Sequence, residues 1–157
     1  MGTLPAARIA FADVNWLVAA YHTSRESPRV AEWATAGGGT LVVSGPVLAE
    51  ARCTFWRLGN RWPVLDHDLR AGALVSCGLT FEALVPLAAD LFRHYAPRCN
   101  VGTLDLLHVA AARHFGCRWF LSFDSNSGCR AVANAEGLKV FPELNATDRD
   151  WLRKFRS

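Results

Sequence analysis

Short apolar runs alternate along the chain with segments in which apolar residues recur at helical spacing. A continuous apolar run that ends at an acid or a turn residue is typical of a buried strand. Apolar residues three to four positions apart, with a capping residue before them and a glycine after them, are typical of a helix. The pattern predicts four strands, at residues 9–12, 40–43, 119–122 and 138–141.

The segments between these strands predict helices. They span residues 14–22, 27–36, 47–58, 104–115 and 129–135, with a polar helical segment at 147–156. Residues 66–95 have a helical pattern throughout, broken at Gly78 and kinked at Pro86. Strands that alternate with helices favour a parallel sheet covered on both faces. We therefore expect an α/β fold, a three-layer α/β/α sandwich with a central parallel sheet.

Size and composition favour a single domain. The chain has 157 residues, of which 51% are hydrophobic, and this suffices for a packed core. No apolar stretch approaches the roughly 18 residues that a membrane-spanning helix needs, so we expect no membrane partner. We expect one domain over residues 1–157, with its motifs within 8–141 and a basic C-terminal tail at 146–157.

Cysteine usage and charge narrow the setting further. The five cysteines are an odd number without a C-x-x-C pair, which predicts reduced and mostly buried thiols in a cytoplasmic protein. The formal net charge is +3, and fifteen of the 17 basic residues are arginine. The planar guanidinium suits phosphate oxygens, but codon usage in a GC-rich genome produces the same bias. Both explanations remain open.

Four acids stand in otherwise apolar surroundings. Asp13 and Asp124 follow predicted strands, and Glu50 and Asp105 lie in the opening turns of predicted helices. Because ligands of parallel sheets bind at the carboxyl ends of the strands, we expect the four acids at one edge. Clustered carboxylates repel one another unless a cation is bound, and oxygen ligands favour Mg²⁺ or Mn²⁺. For each acid alone, a helix-capping role remains the alternative.

Each acid is the centre of a motif, and the four motifs occur in order. They are Ile9-Ala-Phe-Ala-Asp13-Val-Asn15, Val47-Leu-Ala-Glu50-Ala-Arg-Cys-Thr-Phe-Trp-Arg57, Leu104-Asp105-Leu-Leu-His108-Val-Ala-Ala-Ala, and Phe120-Leu-Ser-Phe-Asp124 with Gly137-Leu-Lys-Val downstream. Together they resemble the motifs of the PIN-domain nucleases, and within that family those of the VapC-type toxins of bacterial toxin–antitoxin pairs. The resemblance covers residues 8–141, which is nearly the whole chain.

The resemblance implies a PIN-like fold and a Mg²⁺- or Mn²⁺-dependent endoribonuclease. Asp13, Glu50, Asp105 and Asp124 are then the catalytic acids, and Asp13, Asp105 and Asp124 are the metal ligands. The implied partners are an RNA substrate, a cognate antitoxin protein and a second copy of the chain. A homodimer is also suggested by large apolar residues on the first helices, which a small domain would not easily bury: Trp16, Leu17, Tyr21 and Trp33.

Further side chains are candidates for a supporting or substrate-binding role. Asn15 matches the polar position beside the first acid, and Asn126 lies where the fourth motif often has another acid. His108 lies one helical turn after the third acid, where it could contact a phosphate or pack as an ordinary helix histidine. Arg57 and Arg61 lie seven and eleven residues after the second acid, where they could hold RNA or be solvated.

Two other functions remain open. A PIN-like module without catalysis would serve in RNA binding or as a scaffold, although the intact set of four acids speaks against it. Another α/β phosphohydrolase, such as a haloacid-dehalogenase-like phosphatase, needs a second Asp two residues after its nucleophile. Asn15 occupies that position. No nucleophile elbow or P-loop motif competes for the chemistry.

Overall fold

A computed structural model of the protein describes residues 8–59 and 62–157, and its centre is a parallel sheet. The strands are β1 (Ile9–Ala12), β2 (Thr40–Val43), β3 (Leu74–Ser76), β4 (Trp119–Leu121) and β5 (Lys139–Phe141). Their order across the sheet is β3-β2-β1-β4-β5, and every neighbouring pair is parallel. The strand β1 is therefore central, with β4 directly beside it.

Helices cover both faces of the sheet. They are α1 (Val14–Tyr21), α2 (Ser27–Thr35), α3 (Gly45–Arg57), α4 (Trp62–Ala71), α5 (Phe81–Leu87), α6 (Ala89–Tyr95), α7 (Thr103–Phe115), α8 (Cys129–Ala135) and α9 (Ala146–Arg156). The helices α1–α4 pack against one another, and α5–α9 form a second connected layer. Right-handed crossovers put these layers on opposite faces, which confirms the predicted three-layer sandwich. Among the described residues, no helix is long and apolar enough to cross a membrane.

The region predicted as helical over residues 66–95 contains a strand instead. The helix α4 ends at Ala71, and Gly72 follows with a φ of +79°, which a glycine adopts without strain. The next residues form β3 and pair with β2, with Leu74 beside Leu41. The break at Gly78 is confirmed, and the helical pattern around Pro86 is divided into α5 and α6.

The large apolar residues of α1 and α2 lie in the core. Trp16 and Leu17 are fully buried and Trp33 is 4% exposed. Trp16 stacks on Phe123 and meets Trp33 edge-on, with ring centres 5.1 and 6.3 Å apart. Three of the four residues expected to be left over for a dimer interface, Trp16, Leu17 and Trp33, are therefore part of the core, and Tyr21 is partly buried against it.

The thiols and the C-terminal tail also differ in part from expectation. All five cysteines are free, as predicted, but only Cys117 and Cys129 are buried. The tail forms α9, as its pattern predicted, and it is anchored in the core. The Arg130 Nε donates to the buried Asp148 carboxylate at 3.1 Å, and other guanidinium nitrogens donate to the Ser122 and Pro142 carbonyls. This buried ion pair fixes α9 against α8 and the end of β4.

Candidate active site

The four predicted acids meet at the edge of the sheet where the strands end. Asp13 directly follows β1, and its N–H donates to the Leu121 carbonyl of β4 at 3.0 Å. Asp124 lies three residues after Leu121. Glu50 lies in the second turn of α3, and Asp105 lies in the first turn of α7. The parallel pairing of β1 with β4 thus brings the first and fourth motifs together, as the sequence predicted.

Asp13 is buried in a network of hydrogen bonds. One carboxylate oxygen, Oδ1, accepts from the N–H of Val14 at 2.8 Å and caps α1. The other, Oδ2, accepts from Ser122 Oγ at 2.9 Å and from Asn15 Nδ2 at 3.4 Å. Asn15 Oδ1 in turn accepts from the Phe123 N–H at 2.9 Å. Asn15 and Ser122 therefore hold the Asp13 side chain between β1 and β4.

The sequence analysis did not single out Ser122. The residue lies inside the fourth motif, directly after β4, and nothing in the local sequence distinguishes this serine from others. The register of β1 against β4, with Ala12 beside Leu121, puts the following residues Asp13 and Ser122 next to each other. The signal that could have found it was the pairing of two strand ends, each followed by polar residues.

Asp124 shapes the loop that follows it. Its Oδ1 accepts from the backbone N–H of Asn126 at 3.0 Å and of Ser127 at 3.2 Å. Its own N–H donates to Ser122 Oγ at 3.2 Å. Asn126 thus contacts this acid through its backbone. One oxygen of Asp124, Oδ1, therefore has a structural role.

His108 lies beneath the acids and is 1% exposed. Its Nε2 lies 3.9 Å from Asp13 Oδ1 and 3.9 Å from Glu50 Oε1. Burial acts to lower the pKa of His108, but the carboxylates of Glu50 and Asp13 outweigh it, and the pKa stays above its usual value. The burial favours the packed histidine over a residue that contacts a substrate phosphate directly.

Asp105 has a raised pKa, which reflects both its burial and the other acids around it. Burial and the negative charge of Asp13 raise its pKa from 3.8 to about 6, and the charges of Asp124 and Glu50 act in the same direction. It is not the helix cap that its position allows. The cap of α7 is Gly102, without a side-chain hydrogen bond, and the helix begins at Thr103.

Two cavities adjoin the acids. One of about 520 Å³ is lined by Asn15, Asp124 and apolar side chains of α1. The other, of about 440 Å³, is lined by Glu50 and Arg57 of α3. Val14 and Thr54 border both cavities, so they form one groove along the acid cluster. Arg57 is exposed and shares this groove with Glu50, whereas Arg61 lies outside the described residues.

The acids fit a divalent cation in charge and donor chemistry. Asp13, Asp105 and Asp124 offer only oxygen ligands, which hard cations such as Mg²⁺ prefer. Burial and the negative charges of the neighbouring acids both raise the pKa of Asp105, and a bound cation would offset the charges. Within residues 8–59 and 62–157, however, no three His, Cys, Asp or Glu side chains are drawn together closely enough to hold a metal ion.

Comparisons with known proteins agree with the motifs. The family model of the PIN domain matches residues 10–140. The chain is similar to the solved structure of Mycobacterium tuberculosis VapC20, a sarcin-ricin loop cleaving toxin, with 18% identity, a TM-score of 0.62 and coverage of 82% of this chain and 95% of that chain. It is also similar to FitAcB from Neisseria gonorrhoeae, with 17% identity, a TM-score of 0.57 and coverage of 84% and 96%. A search of curated proteins finds no match.

Proposed function

The chain belongs to the PIN domain family, and on that premise we propose that it is a Mg²⁺- or Mn²⁺-dependent endoribonuclease. The observation that carries the proposal is the meeting of four acids from separate elements at one edge of the sheet. Burial, together with the negative charges of Asp13, Asp124 and Glu50, raises the pKa of Asp105 to about 6. A fold that tolerates this cost at the end of its central strand is typical of a functional site.

The proposed chemistry assigns a separate task to each side chain. Asp13, Asp105 and Asp124 would hold the cation, which when bound neutralises charge on the phosphate and makes a water molecule more acidic. Glu50 is about one-third exposed at its side chain and lies in the groove, where its carboxylate accepts a proton from the attacking water. Ser122 and Asn15 keep Asp13 Oδ2 in place.

We further propose that the protein is the toxin of a toxin–antitoxin pair in the cytoplasm. The fold is shared with VapC20, which is a toxin that cleaves the sarcin-ricin loop. A cluster of carboxylates beside an open groove is a good target for an Arg or Lys side chain of an antitoxin. Such a side chain would offset the same negative charge that the cation offsets, and the antitoxin would thereby silence the site.

RNA cleavage by the purified protein tests the nuclease. We expect cleavage with Mg²⁺ or Mn²⁺ that EDTA abolishes, and a loss of orders of magnitude in Asp105→Asn and Glu50→Gln. Asp66→Asn is the matched control, because Asp66 is an acid on α4 that pairs with Arg70 away from the groove. Cleavage that survives EDTA would contradict the proposal. RNA binding without any cleavage would instead favour the non-catalytic PIN module.

Expression in a bacterial host tests the toxin assignment. We expect induced wild-type protein to arrest growth and Asp105→Asn to leave growth unaffected. Co-expression with the product of a neighbouring gene should relieve the arrest and yield a complex of the two proteins. If the folded, metal-loaded enzyme cuts RNA in vitro but leaves growth unaffected, the toxin assignment fails while the nuclease assignment stands.

A further inference from the structure

A strongly basic surface lies on α6 and α9, and the proposed chemistry does not use it. We name it the α6–α9 surface, and it consists of the exposed residues Arg93, His94, Arg98, Lys154 and Arg156. Arg93, His94 and Arg98 line an open cavity of about 550 Å³. His94 and Arg156 line a neighbouring cavity of about 420 Å³. Because His94 borders both cavities, the two cavities adjoin each other.

The acids on this surface already have partners. Arg113 donates to Asp90 at 2.8 and 2.9 Å and to Glu136 at 3.1 Å. The hydrogen bond from Arg113 holds the pKa of Asp90 below its usual value. With Arg113 included and His94 neutral, five cations face two acids, an excess of three positive charges. This excess equals the formal net charge of the whole chain, +3, so the rest of the molecule is close to neutral.

Trp151 connects this surface to the acid cluster. Its ring lies so close to the Gly128 backbone that a Cβ there would come within 3.1 Å of it. Gly128 ends the loop that Asp124 begins and directly precedes α8. Lys154 Nζ lies over the same ring, 4.6 Å from the ring centre of Trp151. A cation and a partly buried aromatic ring thus lie next to the loop that carries an acid.

Arg98 and Lys154 also come together beside the segment that leads to Asp105. Burial raises the pKa of the Cys99 thiol, and the positive charges of Lys154 and Arg98 oppose that rise. Both cations therefore lie close to Cys99, which precedes α7 by only a few residues. The α6–α9 surface borders both loops that position acids at the site.

We propose that the α6–α9 surface binds the phosphate backbone of single-stranded RNA outside the cleaved bond. Arginine and lysine side chains that track phosphates provide sequence-independent affinity. From Asp105 to Arg113 the helix α7 rises about 12 Å, so RNA on this surface lies well beyond the scissile phosphate. The inference rests on the proposed ribonuclease function and extends it to a second contact with the same substrate.

Two triple variants with equal change in charge test the inference. The surface variant combines Arg93→Gln, Arg98→Gln and Lys154→Gln. The control combines Arg70→Gln, Arg118→Gln and Lys139→Gln, which are exposed cations on α4, directly before β4 and on β5. Both are made in the Asp105→Asn background and kept in EDTA, so that binding is measured without cleavage. The probe is a fluorescently labelled single-stranded RNA, followed by anisotropy at several salt concentrations.

We expect the surface variant to bind the RNA about tenfold more weakly, and its slope of log affinity against log salt to fall by about 0.7 for each lost phosphate contact. The control should keep the affinity and the slope of the parent. With Asp105 restored, the advantage of a long RNA over a tetranucleotide in kcat/KM should fall in the surface variant, through KM.

Equal affinities and equal salt slopes in the two triple variants overturn the inference, whether or not the protein cleaves RNA. That result would leave the surface to an acidic protein partner. If RNA binding depends on the surface but the wild-type chain cleaves nothing, the proposed nuclease function fails and the binding surface stands. Circular dichroism and melting curves of both variants exclude misfolding as the cause.

Discussion

Ser122 Oγ donates a hydrogen bond to Asp13 Oδ2 at 2.9 Å, although the two residues are 109 positions apart in the chain. The same Oγ accepts the N–H of Asp124 at 3.2 Å. One hydroxyl therefore connects two acids of the candidate site through opposite roles, as donor to one and acceptor from the other. Ser122 is fully buried, so this geometry is shielded from competing water.

Removal of this hydroxyl should reduce activity while the fold persists. A hydrogen bond to a charged group contributes about 1.5–3 kcal/mol, so we expect Ser122→Ala to lower the rate of RNA cleavage about ten- to a hundredfold. The control is Ser76→Ala, which removes an exposed hydroxyl that accepts only the Gly78 N–H. Cleavage rates of both variants at saturating Mg²⁺ check the prediction. Equal rates would show that Ser122 does not position Asp13.

Replacement of Asp105 should stabilise the metal-free protein. The pKa of this acid is raised from 3.8 to about 6 on folding, so the folded chain holds the proton more tightly than the unfolded chain. The free energy of unfolding therefore falls as pH rises through this window. In EDTA near neutral pH, Asp105→Asn should gain about 1–2 kcal/mol after allowance for solvent screening.

Melting curves in EDTA over a range of pH check this sign. The gain of Asp105→Asn should vanish as the pH falls below the ordinary pKa of the acid, because Asp105 is then protonated in both states. Added Mg²⁺ should stabilise the wild-type chain more than the variant. A variant that melts below the wild type at every pH would instead identify Asp105 as a structural residue.

Loss of one partner of the buried Arg130–Asp148 pair should lower the free energy of unfolding more than loss of both partners. Arg130→Met leaves the Asp148 carboxylate buried without its cation, and we expect a loss of about 3–5 kcal/mol. The double variant Arg130→Met with Asp148→Leu should recover part of this loss. Urea unfolding of the three proteins measures the difference, and a double variant no more stable than Arg130→Met would contradict the expectation.

A homodimer remains a prediction. The exposed apolar surface most suited to a dimer interface lies on α3 and α4. Trp56 is 63% exposed, and Val64 on α4 is 48% exposed. Exposed apolar side chains of this size are typical of an interaction surface. We expect sedimentation velocity to show a dimer that Trp56→Glu weakens and Phe115→Glu, at the end of α7, does not. A monomeric wild type at micromolar concentration would contradict the prediction.

The sequence predicted the strands that are fixed by local pattern. The bounds of β1 and β2 follow from apolar runs that end at Asp13 and Ser44. The strand β3 has only three residues inside a helical pattern, and it exists because β2 offers an edge for pairing. The residues of β3 alone do not indicate that β2 will be their partner, so this strand could not be predicted from its own sequence.

The same distinction holds at the site. The acids Asp13 and Asp124 could be placed together because parallel strands end at one edge of a sheet. Ser122 and the anchoring of α9 could not, because each depends on a contact between distant parts of the chain. The pair of Arg130 and Asp148 becomes visible only when α8 and α9 are packed together. Asp13, Asp124 and Asn15 were found from their places in the motifs, whereas Ser122 and the Arg130–Asp148 pair were missed because they depend on contacts with distant residues.

The strand order has a consequence for the growing polypeptide. The central strand β1 is synthesised before its neighbour β4, which supplies Ser122 and leads to Asp124. Proteins begin to fold as the chain emerges from the ribosome. Asp13 is synthesised more than a hundred residues before Ser122, its hydrogen-bond partner, so the two cannot pair until Ser122 has been made. The acid cluster therefore cannot assemble on a nascent chain until most of the protein has been translated. A partly synthesised chain therefore lacks the assembled cluster and any reaction that the cluster carries out.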